Sequence, residues 1–185
     1  VDRDPAPLAD AERAVEASGG ACTPLVADAS DREQVAAVVA RAREAAPPLF
    51  GLVNVVGGLA LERWEPLLRY ADATLDALPD LHLRCAFLTS QAVAAELERQ
   101  GGGGSIVQIA SIAALHGMPY GAGYALAKAA LLSLARTMAL EWGPLGIRVN
   151  WVAPGTIRVP RAQAQEDAAR DRAVLPLGRR GTPGD

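Results

Sequence analysis

The sequence has little of what several classes of protein require. Its two cysteines, Cys22 and Cys85, lie far apart among 185 residues, which argues against the dense disulfide framework of a small secreted protein. It has no Lys/Arg-rich run and a net charge of −3, which argues against a nucleic-acid partner or an anionic membrane surface. We find no signal peptide and no stretch apolar enough to span a membrane. These absences predict a cytoplasmic protein without a nucleic-acid or membrane partner.

The sequence has a single lysine, Lys128, and the other 17 of its 18 Lys and Arg residues are arginine. Lys128 ends the stretch YALAK, four residues after Tyr124, so the two side chains share one face of a predicted helix. A free phenol, with a pKa of about 10, is a poor base at neutral pH, and a neighbouring ammonium group favours its phenolate form. The compact charge of lysine suits this role better than a broad guanidinium group. The pair therefore predicts a catalytic acid/base, with a lone surface lysine as the alternative.

Strand-like and helix-like segments alternate along the chain. Short apolar runs predict buried strands over 21–27, 49–56, 105–111 and 147–153. Helical periodicity, bounded by Pro and Gly, predicts helices over 8–18, 31–46, 80–99 and 122–142. Continuous apolar strands separated by helices indicate a parallel sheet covered on both faces. We therefore predict one α/β domain over 1–185, a doubly wound, Rossmann-like parallel sheet in three α/β/α layers.

Ser111 ends the third predicted strand, thirteen residues before Tyr124. The carboxyl ends of parallel strands face the crevice where ligands bind. A hydroxyl there could donate a hydrogen bond to a substrate oxygen while Tyr124 moves a proton to or from it. A strand-end serine on its own is more often a helix cap, and only its combination with Tyr124 and Lys128 favours catalysis.

Ser111, Tyr124 and Lys128, followed by IRVNWVAPGTI, resemble the short-chain dehydrogenase/reductase family, in particular its 3-oxoacyl-[acyl-carrier-protein] reductase-like branch. The resemblance implies hydride transfer between a small secondary alcohol or ketone and NAD(P). It implies that Tyr124 is the general acid/base, that Ser111 binds the substrate oxygen, and that Lys128 assists Tyr124 and holds the nicotinamide ribose. The family's TGxxxGxG phosphate loop and its last strand and helix have no counterpart in this sequence, so the fold is expected to lack N-terminal and C-terminal elements.

The resemblance also implies a site for NAD, with NADP as the alternative. The stretch VNVVGG resembles the family's Asn-Asn-Ala-Gly turn, in which Asn54 and Gly57 match but the two valines between them do not. Asp28 matches the aspartate that hydrogen-bonds adenine. Asp2 falls where a carboxylate accepts hydrogen bonds from the ribose and favours NAD, whereas Arg3, directly after it, could bind the extra phosphate of NADP.

On the nicotinamide side, the resemblance assigns the cofactor contacts to Tyr124, Lys128 and the turn formed by Pro154, Gly155 and Ile157. Two residues after Ile157 the family usually has threonine, and here Val159 puts one of these contacts in doubt. The polar, alanine-rich residues 160–175 correspond to the family's mobile substrate lid, and a solvated helix is the plainer interpretation.

His82 stands where the family has a catalytic asparagine, in a helix whose sequence DLHLRCAFLTSQA otherwise resembles the family pattern. Histidine can pass protons, so His82 is a candidate catalytic residue. Packing in the helix is an equal alternative. Pro79 lies three residues earlier, and because proline is tolerated only in the first helical turn, the helix is expected to begin near residue 79.

The helix over 122–142 is apolar on nearly all sides, which predicts burial. Family members pair this helix across a two-fold axis, so a homo-oligomer, dimer or tetramer, is expected. No metal site is predicted. The resulting hypothesis is an NAD(P)-dependent oxidoreductase, and the alternative is a non-catalytic relative that binds a nucleotide or a partner through the same fold.

Overall fold

The centre of the fold is a parallel sheet of three strands. The structure, a computed structural model, describes residues 1–44, 47–57, 64–158 and 168–185. Strands β1 (Gly51–Asn54), β2 (Gly104–Ile109) and β3 (Ile147–Val152) pair in the order β1-β2-β3, and Val53 lies opposite Val107. All three strands come from apolar runs in the sequence, as expected for a sheet flanked by helices.

Six α-helices accompany the strands in the described residues: α1 (Pro5–Ala17), α2 (Arg32–Arg43), α3 (Asp72–Pro79), α4 (Cys85–Gln100), α5 (Ala122–Trp142) and α6 (Ala168–Val174). Aspartates begin the first two, since the Asp4 carboxylate accepts from the backbone N–H of Ala6 and the Asp31 carboxylate accepts from those of Glu33 and Gln34. Short 3-10 turns cover Leu67–Arg69, Ile112–Ala114 and Gly143–Leu145. The boundaries predicted for α5 are confirmed, and those of β2 and β3 hold to within two residues.

The core lies between the sheet and helices α2, α4 and α5. Leu97 of α4 and Ile106 and Ile147 of the strands are almost completely buried there, together with Ala135 and Met138 of α5. Alternate residues of β3 point the other way, and Arg148, Asn150 and Val152 are exposed. Helices α2, α4 and α5 therefore cover one face of this sheet.

The strand predicted over 21–27 is wrong. In this segment only Val26 pairs, in a single parallel bridge with Asp2. Two hydrogen bonds hold the bridge, from the Asp2 N–H to the Leu25 carbonyl and from the Ala27 N–H to the Asp2 carbonyl. After Asp2 the chain turns directly into α1, so in the described part of the chain the parallel pairing does not continue beyond this bridge.

The start predicted for the helix over 80–99 is also wrong. The helical region begins at Asp72, and α3 ends at Pro79. A π-helical turn, Asp80–Arg84, follows and leads directly into α4. A proline removes one backbone donor from a helix, and a wide π turn is one way in which a helix absorbs such an interruption. His82 is carried by this turn.

Candidate active site

Three chain segments meet at the carboxyl edge of the sheet. The Lys128 Nζ of α5 donates a hydrogen bond to the carbonyl of Ile109, the last residue of β2, at 2.9 Å. Beyond β2, the Ile112 N–H donates to the Pro154 carbonyl at 3.1 Å, which joins the turns that follow β2 and β3. The parallel topology therefore brings the predicted Lys128 and Pro154 to one edge, as expected for a ligand crevice.

Lys128 is buried, with 4% of its surface exposed. Its burial lowers the pKa of the ammonium group to about 8. The Nζ atom lies 5.9 Å from the centre of the Tyr124 ring. The lysine is therefore an interior charge beside the phenol, and the alternative of a surface lysine is wrong.

His82 and Gly57 complete the surroundings of Tyr124. The His82 ring is almost completely buried and meets the Tyr124 ring edge to face, with centroids 5.4 Å apart and planes at 82°. Gly57 has a φ of +142°, and a Cβ atom there would lie 2.5 Å from Nδ1 of His82 and 3.5 Å from Nζ of Lys128. Only glycine allows the backbone after β1 to approach this closely.

Ser111 lies half-buried two residues after β2, where it begins the 3-10 turn Ile112–Ala114. Its Oγ accepts a hydrogen bond from the Ala113 N–H at 3.2 Å. The serine is thus a helix cap, and because its oxygen accepts in that bond, its own hydrogen can still be donated. The turn packs against α5, which carries Tyr124 and Lys128.

A cleft of about 990 Å³ opens beside this cluster. Its lining includes the four residues predicted for the adenosine side of the cofactor, Asp2, Asp28, Asn54 and Gly57. Arg3 lines it as well. Residues separated by up to 55 positions in sequence therefore line one cleft.

The carboxylates in the cleft already have protein partners. Asp28 Oδ1 accepts hydrogen bonds from the hydroxyl and the backbone N–H of Ser30, at 2.7 and 2.8 Å, and these bonds hold the pKa of Asp28 below its ordinary value. Asp2 is exposed, and its Oδ1 accepts from the Asp4 N–H at 3.0 Å. Each carboxyl group is thus fixed in orientation by a hydrogen bond within a turn.

The Asn54 side chain belongs to a buried polar network. Its Nδ2 donates to Ser90 Oγ and to Gln108 Oε1, both at 3.1 Å, and its Oδ1 accepts from the Thr89 hydroxyl at 2.8 Å. Gln108 also donates to Ser90 Oγ at 2.7 Å. Asn54 thus joins β1 to β2 and α4. Sequence reasoning missed this role, for which the only signal is polar residues within apolar segments.

The turn after β3 holds the other predicted cofactor residues. Pro154 is tied to the Ile112 turn, Gly155 lies beside the Ile112 side chain, and Ile157 forms a parallel bridge with Gly181. Val159 and most of the predicted lid lie outside the described residues. Of the lid, residues 168–174 form α6. In the described ranges no helix is long and apolar enough to cross a membrane, and no cluster of three His, Cys, Asp or Glu side chains could hold a metal ion.

The whole chain, residues 1–185, matches the family model described as enoyl-(acyl carrier protein) reductase. The chain is 38% identical over its full length to 81% of a Xanthobacter autotrophicus protein named inactive 2-(S)-hydroxypropyl-CoM dehydrogenase 2. It is 34% identical to the 3-oxoacyl-[acyl-carrier-protein] reductase of Thermotoga maritima, over 91% of this chain and 68% of that protein.

Solved structures with a similar fold include dehydrogenases and reductases. A short-chain dehydrogenase/reductase of Mycobacterium ulcerans superposes with a TM-score of 0.88 at 30% identity, over 97% of this chain and 67% of that one. A gluconate 5-dehydrogenase of Burkholderia cenocepacia, solved with NADP and tartrate, gives 0.86 at 28% identity, over 98% and 72%. These likenesses confirm the Rossmann-like α/β/α class predicted from the sequence.

Proposed function

The chain belongs to the short-chain dehydrogenase/reductase family, and we propose that it interconverts a secondary alcohol and a ketone with NAD(P). The observation that carries this proposal is the position of its single lysine. Lys128 is buried, bonded to the end of β2 and beside the ring of Tyr124. Burial of an ammonium group is costly, so a buried lysine beside a cleft is a candidate functional group, and we assign it the stabilisation of a neighbouring phenolate.

The residues in and beside the cleft fit the adenosine and nicotinamide ends of a nicotinamide dinucleotide. Asp2, Asp28 and Gly57 would hold its adenosine side, since oriented carboxylates accept hydrogen bonds from hydroxyl and amino groups. Lys128, next to Gly57, would hold its nicotinamide ribose, and the turn Pro154, Gly155 and Ile157 would face the ring. Bound nicotinamide supplies or accepts the hydride. We propose NAD, with NADP as the alternative because Arg3 lines the cleft beside Asp2.

The chain's own residues handle the substrate oxygen. Tyr124 gives a proton to a ketone oxygen or takes one from an alcohol, and the Ser111 hydroxyl donates a hydrogen bond to the same oxygen. With a pKa of about 8, Lys128 is largely protonated at neutral pH and stabilises the phenolate that Tyr124 becomes when it gives up its proton.

The test replaces Tyr124 with Phe and Lys128 with Met and follows nicotinamide absorbance across a panel of ketones and secondary alcohols. We expect each change to reduce turnover at least about 100-fold, the usual contribution of a positioned acid/base. Tyr120→Phe is the matched control, because Tyr120 lies in the turn before α5 and is 56% exposed. Unchanged turnover in Tyr124→Phe would refute the proposal.

For His82 we propose proton transfer between the site and solvent. Its imidazole packs against Tyr124 and can both accept and donate a proton. His82→Asn introduces the residue that the family resemblance implies and should retain turnover, whereas His82→Leu keeps bulk without proton transfer and should lose it. Equal turnover in both variants would leave His82 a packing residue.

One comparison favours a second candidate, a non-catalytic nucleotide-binding relative. The Xanthobacter autotrophicus protein, 38% identical to this chain, carries the name of an inactive dehydrogenase. Titration with NADH, monitored by its fluorescence, separates the candidates. Binding without turnover of any substrate would favour the second, and binding with turnover abolished by Tyr124→Phe would favour the enzyme.

We further propose a homo-oligomer, dimer or tetramer, that buries one side of α5. Within the single chain, Leu126 and Leu140 of this helix are 59% and 81% exposed. Leu126→Glu with Leu140→Glu should lower the mass measured by sedimentation, and an unchanged mass would exclude this face. We also propose a reducing, cytoplasmic environment, in which Cys22 and Cys85 would stay free thiols as they are in the structure.

A further inference from the structure

The helix that carries Tyr124 begins without a local side-chain cap. Gly121 is the N-cap residue of α5 and has no side chain that could accept a hydrogen bond. The first helical bond runs from the Ala125 N–H to the Gly121 carbonyl at 3.0 Å. The N–H groups of Ala122, Gly123 and Tyr124 therefore have no helical carbonyl to bind. Tyr124 is the third residue of the helix, in the turn that frays most easily.

A distant tyrosine supplies the missing acceptor. The Gly123 N–H donates a hydrogen bond to the hydroxyl of Tyr70 at 3.0 Å. Gly123 is buried and Tyr70 half-buried, so loss of this acceptor would leave a covered donor unsatisfied. A second bond, from the Glu65 N–H to the Tyr120 carbonyl at 3.0 Å, ties the same segment to the turn before α5. All three tyrosines of the chain thus lie at this turn.

The segment that carries Tyr70 reaches the catalytic turn from two sides. Tyr70 lies just before α3, and the π turn that follows α3 carries His82, whose ring contacts Tyr124. One hydroxyl therefore holds the backbone next to Tyr124 while one imidazole packs against its ring. Such double support fixes a side chain more narrowly than either contact alone.

We propose that Tyr70 is a positioning residue, whose hydroxyl caps α5 and thereby holds Tyr124 in its reactive place. The inference rests on the proposed function, because it assigns Tyr124 the proton transfer. Tyr70 acts through the helix backbone, since its hydroxyl oxygen is bonded to the N–H of Gly123.

The experiment combines loss of the cap with an independent replacement. Tyr70→Phe removes the acceptor, and Gly121→Ser restores one, because serine is among the best N-cap residues. A Cβ at Gly121 would meet the flexible side chain of Met118 at 3.0 Å, which can shift. Tyr120→Phe is again the control. For each protein we would measure kcat, KM and the hydrogen exchange of the Gly123 amide.

We expect Tyr70→Phe to lower kcat about tenfold with little change in KM and to speed exchange at Gly123, since small misplacements of a catalytic group are costly. Adding Gly121→Ser should restore both. Exchange that is unchanged in Tyr70→Phe would overturn the cap, whether or not the protein turns over. If Gly121→Ser restores slow exchange at Gly123 but does not restore kcat, the positioning role is overturned. A wild-type protein without turnover would instead refute the proposed function, and exchange would still test the cap.

Discussion

Gly57→Ala is the substitution for which the structure gives the most specific consequence. The backbone at Gly57 has a φ of +142°, where L side chains are strained. The added methyl would lie 2.5 Å from Nδ1 and 2.7 Å from Cε1 of His82. Both atoms belong to a rigid, buried ring, so the ring or the backbone must move.

The expected loss has two parts. The strained backbone costs about 1–3 kcal/mol, and forcing a methyl group into a filled site costs about another 1–3 kcal/mol. Their sum is a large fraction of the 5–15 kcal/mol by which ordinary domains are stable. Displacement of the His82 ring would also remove its edge-to-face contact with Tyr124, so turnover should fall along with stability.

Urea unfolding and steady-state kinetics of the same preparations test this reasoning. Gly101→Ala is the matched control, because Gly101 also has a positive φ, +71°, but no atom lies within 4 Å of a Cβ built there. The control should lose only the strain, about 1 kcal/mol, and retain full turnover. If Gly57→Ala loses no more stability than Gly101→Ala, the close contact between Gly57 and His82 is refuted.

Three further predictions concern buried polar groups. Arg99 and its neighbours lower the pKa of Glu96 from 4.5 to about 2, so ionised Glu96 stabilises the fold above pH 4.5 and this stabilisation is lost as the pH falls toward 2. In acid unfolding experiments, the free energy of unfolding of Glu96→Gln should therefore fall less steeply over this pH range than that of the wild type. Because burial lowers the pKa of Lys128 from 10.5 to about 8, the free energy of unfolding should rise between pH 8 and 10.5, and Lys128→Met should abolish that rise. At pH 7 the same variant removes a buried charge but also loses the bond to the Ile109 carbonyl, so its free energy of unfolding in urea should increase by about 2 kcal/mol. Asn54→Ala should lower the free energy of unfolding, measured by thermal unfolding, by about 2–3 kcal/mol, because Ser90 and Gln108 would each lose a hydrogen-bond partner in the interior.

The sequence predicts those parts of this fold whose signals are local. Helix α5 and strands β2 and β3 agree with their apolar patterns because each pattern is long or bounded by glycine. The segment 21–27 has the same apolar character, but a strand also needs a neighbour to pair with, and among the described residues only Asp2 pairs with this segment. The helix start predicted near Pro79 is also wrong. Its local rule, that proline begins a helix, does not foresee a π turn within a longer helical region.

The candidate site also combines contacts that local sequence spacing predicts with contacts between residues that are distant in sequence. Tyr124 and Lys128 are one helical turn apart, so their proximity follows from sequence spacing alone, and parallel strands bring Ser111 and Pro154 to the same edge. The contact of His82 with Gly57, the network around Asn54 and the bond from Gly123 to Tyr70 join residues 18 to 54 positions apart. No periodicity encodes such pairs, because they depend on how elements dock. The residues that do the proposed chemistry are thus visible in the sequence, while those that hold them in place become visible only in the fold.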